Sequence, residues 1–452
     1  MTLLNELSAE VCQRARMSRD PRFDGRFFVA VKTTGIFCRP ICPANLPKEE
    51  NVEYFSSQAL AVSAGYRPCL RCRPESAPHS WAWKGAETTF LRALTLIEQG
   101  ELDGSLETLA SRLGISDRYL RQLFQRHLGM PPKQYAQIQQ LMFAKQLLHT
   151  SQISITEVAY ASGFQSTRRF NDAFQKLFRL TPTQVRRERA ALPSRNHLSL
   201  AFRGPFDWAH MLDFYRLRAI EGMELVDEQS YQRHFVLGEG TGWFKASMAQ
   251  SHLDIEFEME RLSDLRHLVA RLRRMFDLDA DLISIEAHLE QAAPRLVRRT
   301  GIRIPGVWNA WEAGVRAVLG QQVSVKAAIG QLNLLVSTLA ASEGSTRYFP
   351  TPEQVQMSDL SFLRMPERRK ETLKRLADYV RLHPMDSPMA WLSLSGIGPW
   401  TVDYAQLRGE SRSHCFLTGD LIVKKALAKF PQLTAESVAP WGSYATFHCW
   451  SH

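Results

Sequence analysis

Four of the chain's seven cysteines fall in two close pairs, Cys38 and Cys42 in "TTGIFCRPICPA" and Cys69 and Cys72 in "GYRPCLRCRPE". A C-x3-C pair followed by a C-x2-C pair suits a tetrahedral thiolate site, because each pair bends around one ion and the two approach it from opposite sides. The segment they staple, up to about Ala77, is too short to hold together on a hydrophobic core alone. Zinc is the natural occupant, and one ion is expected. In a reducing compartment paired cysteines bind metal or do chemistry more often than they form disulfides.

At 452 residues, 44% hydrophobic and 23% charged, the chain is long enough for two or three buried cores. The opening "MTLLNELSAEVCQRARMSRD" carries charges throughout and lacks the apolar core of a secretory signal. No later run reaches the roughly 20 apolar residues of a membrane span. The expected location is therefore the cytoplasm, with no membrane partner. A formal charge of +10 favours a polyanion, and double-stranded DNA leads the candidates.

The second segment, about Thr88 to Arg189, contains an internal repeat. "DRYLRQLFQRHLGMPPKQY" aligns with "TRRFNDAFQKLFRLTPTQV", so that Leu120 matches Phe170, Phe124 matches Phe174 and Pro132 matches Pro182. Upstream, "SLETLASRLGIS" pairs with "SITEVAYASGFQ", matching Ala110 with Ala159 and Gly114 with Gly163. Each copy reads as a helix, a glycine turn and a second helix starting near Asp117 or Thr167, the helix-turn-helix layout. Leu109, Leu113, Leu120, Phe124, Val158, Phe164, Phe170 and Phe174 have the helical spacing of core. Arg118, Arg121 and Gln122 in one presumptive recognition helix, and Arg168, Arg169 and Asn171 in the other, suit base edges and phosphates.

Beyond a basic linker the period changes. In "HLDIEFEME", Leu253, Ile255, Phe257 and Met259 alternate with acidic residues, as in a half-buried antiparallel strand. Helical patterning returns from about Leu262. Within it, "LSLSGIGPW" holds L-x-G-I-G, whose glycines, Gly396 and Gly398, allow a tight hairpin and bare backbone amides toward a phosphate. The expected class is a multidomain chain, mainly α with α+β parts. Its boundaries are a zinc-bound α/β domain at 1–78, an all-α double helix-turn-helix domain at 85–190, a small antiparallel sheet at 197–280 and a helical body at 281–452.

Three resemblances sharpen this. Through "VKTTGIFCRPICPA", "ENV" and "GYRPCLRCRPE", residues 22–74 resemble the N-terminal domain of the Ada adaptive-response family. That resemblance implies zinc on four cysteines and a methyl acceptor, here Cys38, that takes methyl groups from methylphosphotriesters in DNA. A metal-bound thiolate stays deprotonated and nucleophilic. The nearby Arg39, Lys32, Arg67, Arg71 and Arg73 are expected on the DNA backbone. Through "EVAYASGFQSTRRFNDAFQKLFRLTPTQVRR", the repeat resembles AraC-type transcriptional activators. An activator implies RNA polymerase as a further partner, and the chain is expected to be monomeric and nucleoid-associated when on DNA.

"GVWNAWEAGVRAVLGQQVSVKAA", "YFPTPEQV", "HCFLTGDLIVKKAL" and "PWGSYATFHCW" resemble the AlkA-type 3-methyladenine glycosylases of the helix-hairpin-helix superfamily over roughly residues 198–452. The resemblance implies Asp420 as catalytic carboxylate, Trp400, Tyr404 and Trp441 as walls of a base pocket, and Gln322 at the position of a wedge into the duplex. In related bifunctional enzymes a lysine occupies the position of Trp400, so a monofunctional glycosylase is expected. Only Cys415 and Cys449 lie in this region, so no four-cysteine iron–sulfur cluster is expected. Two departures stand out. Gly419 and Leu421 flank Asp420 where the family often has P-D-D-Y, and no P-C-H-R-type segment for O6-methylguanine transfer is present. The rival expectation is a regulator whose glycosylase domain is inactive.

Overall fold

The computed structural model describes residues 7–20, 23–72, 74, 81–98, 100, 102, 105–187, 196–340, 342–343, 346–384 and 386–451. It forms two compact units, residues 1–139 and 140–452, and the boundary falls within the helix Pro132–Thr150.

The first unit begins with a four-stranded sheet: β1 (Phe28–Val31), β2 (Ile36–Cys38), β3 (Val52–Phe55) and β4 (Arg67–Pro68), in the order β3-β1-β2-β4. Successive side chains of β1 alternate between two small cores, as a strand covered on both faces requires. Val29 joins Cys12, Ala15, Phe27 and Val52 against the helix Ala9–Ser18. Phe28 and Ala30 join Phe37 and Ala61 on the side of the helix Gln58–Ser63. Neither cluster is large enough to stabilise a domain alone, which is the deficit a metal staple makes up.

The same unit carries the first helix-turn-helix. Its helices Leu106–Arg112 and Asp117–Leu128 are each opened by a serine, Ser105 and Ser116, whose side chain caps the third helical amide. Between them Gly114 adopts φ +68°. Leu109, Ala110, Leu120 and Phe124 are buried, whereas Leu113 is only half-buried.

In the second unit, Ile155–Ala161 and Thr167–Phe178 repeat the design. Gly163 turns at φ +85°, Ser154 forms a capping box with Glu157, and Val158, Phe164, Phe170 and Phe174 are buried. Both presumptive recognition helices start at the residues expected. The expected 85–190 domain is not one compact unit, however. The second helix-turn-helix shares a continuous apolar core with the sheet that follows, running from Leu147, Val158 and Phe170 to Leu198, Phe257 and Leu268.

That sheet comprises β5 (His197–Ala201), β6 (Glu224–Val226), β7 (Ser230–Leu237), β8 (Gly240–Met248) and β9 (His252–Met259), all antiparallel, in the order β5-β9-β8-β7-β6. Leu253, Ile255 and Phe257 face the core, and Met259 is half-buried at the strand end. The helical body is joined to the sheet by a buried ionic network. Arg233 of β7 meets Glu312 at 2.5 Å and Glu224 at 2.9 Å, and Arg316 meets Glu224 at 3.1 Å and Glu312 at 2.9 Å. Two carboxylates and two guanidiniums neutralise one another, the condition on which buried charge is tolerated, although Arg233 Nε has no hydrogen-bond partner. The network fixes the helix Ala310–Gly320, whose far end forms part of a cavity wall. No described helix is long and apolar enough to cross a membrane.

Candidate active sites

Cys38 ends β2, and Cys69 follows β4, which pairs with it in parallel; the Cys69 amide donates to the Phe37 carbonyl at 3.0 Å. Cys42 is brought back by a turn in which its amide donates to the Arg39 carbonyl at 3.1 Å. The Arg39 amide donates to Cys72 Sγ at 3.3 Å. All four sulfurs consequently lie within 4.8 Å of one another. Such crowding separates their acidities. Cys72 is pulled down to about 6, chiefly because the Cys38 thiol donates to it, and the same bond together with burial pushes Cys38 far up. Four sulfurs this close become thiolates together only around a cation, and an all-sulfur tetrad fits zinc. Cys42 is buried, and Cys38, Cys69 and Cys72 are half-buried.

Arg39 has a different place from the one expected. Its guanidinium is committed to both carboxylate oxygens of Asp24 and to the Cys72 carbonyl at 3.3 Å, with the side chain only 17% exposed. It braces the two cysteine loops, and pairing with Asp24 raises its affinity for the proton still further. Arg67, Arg71 and Lys32 are exposed; Arg71 stands between Cys69 and Cys72, whereas Lys32 lies three residues beyond Val29, the register partner of Cys38, within 3.6 Å of Glu53. Arg73 lies outside the described residues.

On the second helix of each helix-turn-helix, Arg118, Arg121 and Gln122, and likewise Arg168, Arg169 and Asn171, are exposed. Arg121 pairs with Asp117 at 2.7 Å one helical turn away.

Asp420 lies in a cavity of about 430 Å³. It is the N-cap of the helix Leu421–Lys429, and Oδ1 accepts from the amides of Ile422 at 2.9 Å and Val423 at 3.2 Å. Trp450 Nε1 donates to the same oxygen at 3.0 Å. All three donors go to Oδ1, so capping and the indole bond immobilise the carboxylate without engaging Oδ2. A helix N-terminus is also a favourable place for a negative charge.

Trp400 and Tyr404, one turn apart on the helix Pro399–Glu410, stack at 5.3 Å and form one wall of the cavity. Trp441 is not part of the lining. It packs edge-on to Tyr444 at 6.1 Å, at the start of the terminal helix Gly442–Trp450, and the far end of that helix faces the cavity instead. Trp450 there stacks parallel to Phe214 at 6.2 Å and edge-on to Phe447 at 5.0 Å. Sequence reasoning passed over Trp450. The available signal was spacing: Phe447 and Trp450 are three apart on one helix face.

Two arginines also reach the cavity. Arg316 is neutralised by Glu224 and Glu312. Arg218 lies 3.7 Å over the Phe214 ring, and burial lowers it to about 10.

The hairpin ahead of Pro399 depends on Gly396. Its φ is +92°, and a Cβ there would come within 2.1 Å of Thr372 Oγ1. Gly398 starts the next helix with no side-chain cap and with open space around it. Gln322 is exposed with φ +55°, a backbone region costly for a residue with a side chain. Its neighbour Gln321 ties the turn to the hairpin, donating to the Gly396 carbonyl and to Thr401 Oγ1, both at 3.2 Å.

Comparisons with known proteins agree with this layout. Residues 11–75 match the metal binding domain of Ada, residues 109–188 a helix-turn-helix domain, and residues 197–309 the AlkA N-terminal domain. A solved structure described as the methylated N-ADA/DNA complex is 36% identical, covering 29% of this chain and 98% of that one, with a TM-score of 0.26. The Escherichia coli DNA-3-methyladenine glycosylase 2 is 33% identical over 56% of this chain and 96% of its own length. The probable bifunctional transcriptional activator/DNA repair enzyme AlkA of Mycobacterium tuberculosis is 35% identical over 98% of this chain and 96% of its own length. On that end-to-end likeness, the chain belongs to the family of bifunctional transcriptional activator/DNA repair enzymes of the AlkA type.

Proposed function

We propose that the protein is a sensor, regulator and repair enzyme for alkylated DNA. Cys38 takes a methyl group from DNA methylphosphotriesters, the helix-turn-helix pair acts at promoters, and Asp420 serves a monofunctional glycosylase that releases alkylated bases such as 3-methyladenine. The observation that carries the enzyme reading is Asp420 itself: a carboxylate locked through Oδ1 inside an aromatic-walled cavity.

A base leaving C1′ makes the sugar resemble an oxocarbenium ion, and a fixed anion beside it stabilises that state without reorganising. Asp420 also orients the attacking water. Trp400, Tyr404 and Trp450 offer stacking surfaces to a flipped base, each attracting a cationic purine by ~0.5 to 2 kcal/mol. Arg218 acts in the opposite sense. A guanidinium at the cavity wall disfavours a cationic base and favours one presenting a carbonyl oxygen. The uncapped start at Gly398 leaves the hairpin open to a backbone phosphate.

One zinc ion, held by Cys38, Cys42, Cys69 and Cys72, would keep the sulfurs as thiolates at neutral pH. In the transfer, Cys38 Sγ bonds to the methyl carbon, the carbon–oxygen bond to the phosphotriester breaks, and its electron pair stays on the phosphate. The tetrad thereby loses one negative charge. At ~5 Å from a DNA phosphate and an effective dielectric of ~20, that is worth on the order of 3 kcal/mol, enough to switch on operator affinity. Arg67, on the strand paired with the one that Cys38 ends, and Arg71, between Cys69 and Cys72, provide exposed cations for the backbone. The protein works in the cytoplasm as a monomer, with RNA polymerase as partner at promoters.

Purified protein incubated with methylated DNA tests both activities together. Release of free 3-methyladenine and a methyl group mapped to Cys38 are expected. Methylation on Cys69 or Cys72 instead would overturn the acceptor assignment, and absence of free base would favour a regulator with an inactive glycosylase domain.

A further inference from the structure

The helix Trp208–Arg216 contributes His210, Asp213 and Phe214 to the wall of the Asp420 cavity. Neither His210 nor Asp213 has a part in holding Asp420 or in stacking on a base. His210 is half-buried; its backbone amide donates to Asp207 Oδ1 at 3.0 Å, and Arg299 grips the same carboxylate, which fixes the start of the helix. A neighbour sets where the imidazole proton sits. Ser451, next after the Trp450 that donates to Asp420, has a single hydroxyl proton and donates it to the Phe447 carbonyl at 3.0 Å. The contact of 3.3 Å between Ser451 Oγ and His210 Nε2 therefore takes its proton from the ring, so neutral His210 carries it on Nε2. Nδ1 is left as an acceptor, with no hydrogen-bond partner among the described residues and not sealed from solvent. Burial keeps the ring neutral by lowering it below its ordinary 6.5; Arg299 and Arg218 act in the same sense, and Asp207 and Asp213 oppose them. One turn on, exposed Asp213 pairs with Arg216 through Oδ1, and its Oδ2 has no printed partner among the described residues. This edge of the cavity thus offers two acceptors, whereas Arg218, a donor, stands about two turns further along the chain.

We propose that His210 Nδ1, with Asp213 beside it, makes the cavity selective for bases that carry an exocyclic amino group, and against bases with a carbonyl oxygen at the same position. The assignment rests on the glycosylase reading and narrows its substrates to alkylated adenine ahead of oxygen-bearing purines. An amino group has two hydrogens to give, and two acceptors one turn apart can take both. A carbonyl oxygen brings only lone pairs, so it leaves both acceptors unpaired and meets the Asp213 charge, which costs more than a missing bond. Alkylation strengthens the choice, because the amino group of a cationic purine donates more strongly, above all to a carboxylate. Arg218 favours the opposite chemistry, so removing the acceptor edge tilts the cavity toward carbonyl-bearing bases.

The test uses the full chain and two free bases that differ only at C6, 3-methyladenine with its amino group and 3-methylhypoxanthine with a carbonyl oxygen, and compares their dissociation constants by equilibrium dialysis. Wild type should prefer 3-methyladenine by about tenfold or more. His210→Leu, which removes the acceptor, should reduce that preference about tenfold. His210→Asn, whose amide oxygen can stand near the place of Nδ1 but which loses the bond to Ser451, should keep most of it. A wild type that shows no preference, or binds neither base, overturns the inference, as does a His210→Leu protein with the wild-type ratio. Equal loss in His210→Leu and His210→Asn also overturns it, because the imidazole would then act by tying down Ser451 and the end of the terminal helix. Release of free base from methylated DNA is followed in parallel. A wild type that shows the C6 preference yet releases no base sinks the glycosylase reading and leaves the His210 assignment standing; one that releases 3-methyladenine but shows no preference overturns the assignment alone.

Discussion

Asp420 does two things with one side chain, and substitution can separate them. An aspartate before an apolar run is most simply a helix cap, and Asp420 is one; the indole of Trp450 and the cavity add what a cap does not need. Asparagine caps as well as aspartate. Asp420→Asn should therefore melt within ~1 °C of wild type while base release falls roughly 100-fold or more, because the charge opposing the sugar cation is gone. Near-normal release would place the catalytic carboxylate elsewhere. A second aspartate, Asp277, is one that no spacing or neighbouring motif singles out. Asp277 is buried, accepting from the Ile304 amide at 3.2 Å and the Tyr444 hydroxyl at 2.9 Å, and burial pushes its pKa up to about 7. The folded protein keeps this proton where the unfolded chain, with an ordinary value of 3.8, has lost it. The folded form thus binds more protons between those values, and stability falls as pH rises from about 4 to about 7. Asp277→Asn keeps an acceptor for both donors and tolerates the φ of +53° at this position. It should gain at least ~1 kcal/mol at pH 8 and little at pH 4, read from denaturant midpoints at the two pH values. Equal effects at both would remove the proton from the explanation. At this scale the sequence disclosed the residues that ligate or cap, since spacing and neighbours identify them. It did not disclose which of Trp441 and Trp450 reaches the cavity, because that depends on how the terminal helix packs.

Elements were legible where one periodicity ruled. The alternation in "HLDIEFEME" became β9, and the two serine-capped recognition helices begin at the expected Asp117 and Thr167. The glycine hairpin was legible as a motif, but the reason for its first glycine was not, since Thr372 lies on a helix 24 residues earlier (396 minus 372). Thr372 is 2% exposed and donates to the Arg368 carbonyl at 2.9 Å, so it has little room to withdraw. Gly396→Ala must bear both that overlap and a left-handed backbone, and should cost about 2 to 4 kcal/mol while weakening DNA binding. Pairing it with Thr372→Ala should recover part of the stability, because only the overlap is relieved. Full recovery in the double variant would show that backbone strain contributes nothing, and a melting point unchanged by Gly396→Ala alone would refute the argument.

At the scale of the whole molecule, reading segments one after another suggested that the helix-turn-helix pair closes before the glycosylase opens. The chain does otherwise: the second helix-turn-helix completes the core of the glycosylase sheet. The helix Ile155–Ala161 packs against the short helical turn Leu262–Asp264, and Leu198 and Leu200 of β5 belong to the same apolar cluster as Val158, Phe170 and Val185. No periodicity reveals this, because an apolar helix face looks the same whether it is buried by its own domain or by the next. The consequence is measurable by truncation. A fragment of residues 140–452 keeps the shared core, whereas residues 197–452 leave its sheet side uncovered. At about 25 cal/mol per Å², each ~100 Å² of apolar surface returned to water costs roughly 2.5 kcal/mol. The shorter fragment should melt at least several degrees below the longer one and associate at concentrations where the longer one stays monomeric. Calorimetry and light scattering on the two fragments decide it. Equal melting temperatures and equal solubility would mean that the glycosylase closes its own core and that the second helix-turn-helix only rests on it. A lower melting temperature would mean that the helix Thr167–Phe178 and the five-stranded sheet unfold as one cooperative unit, held by the apolar core they share.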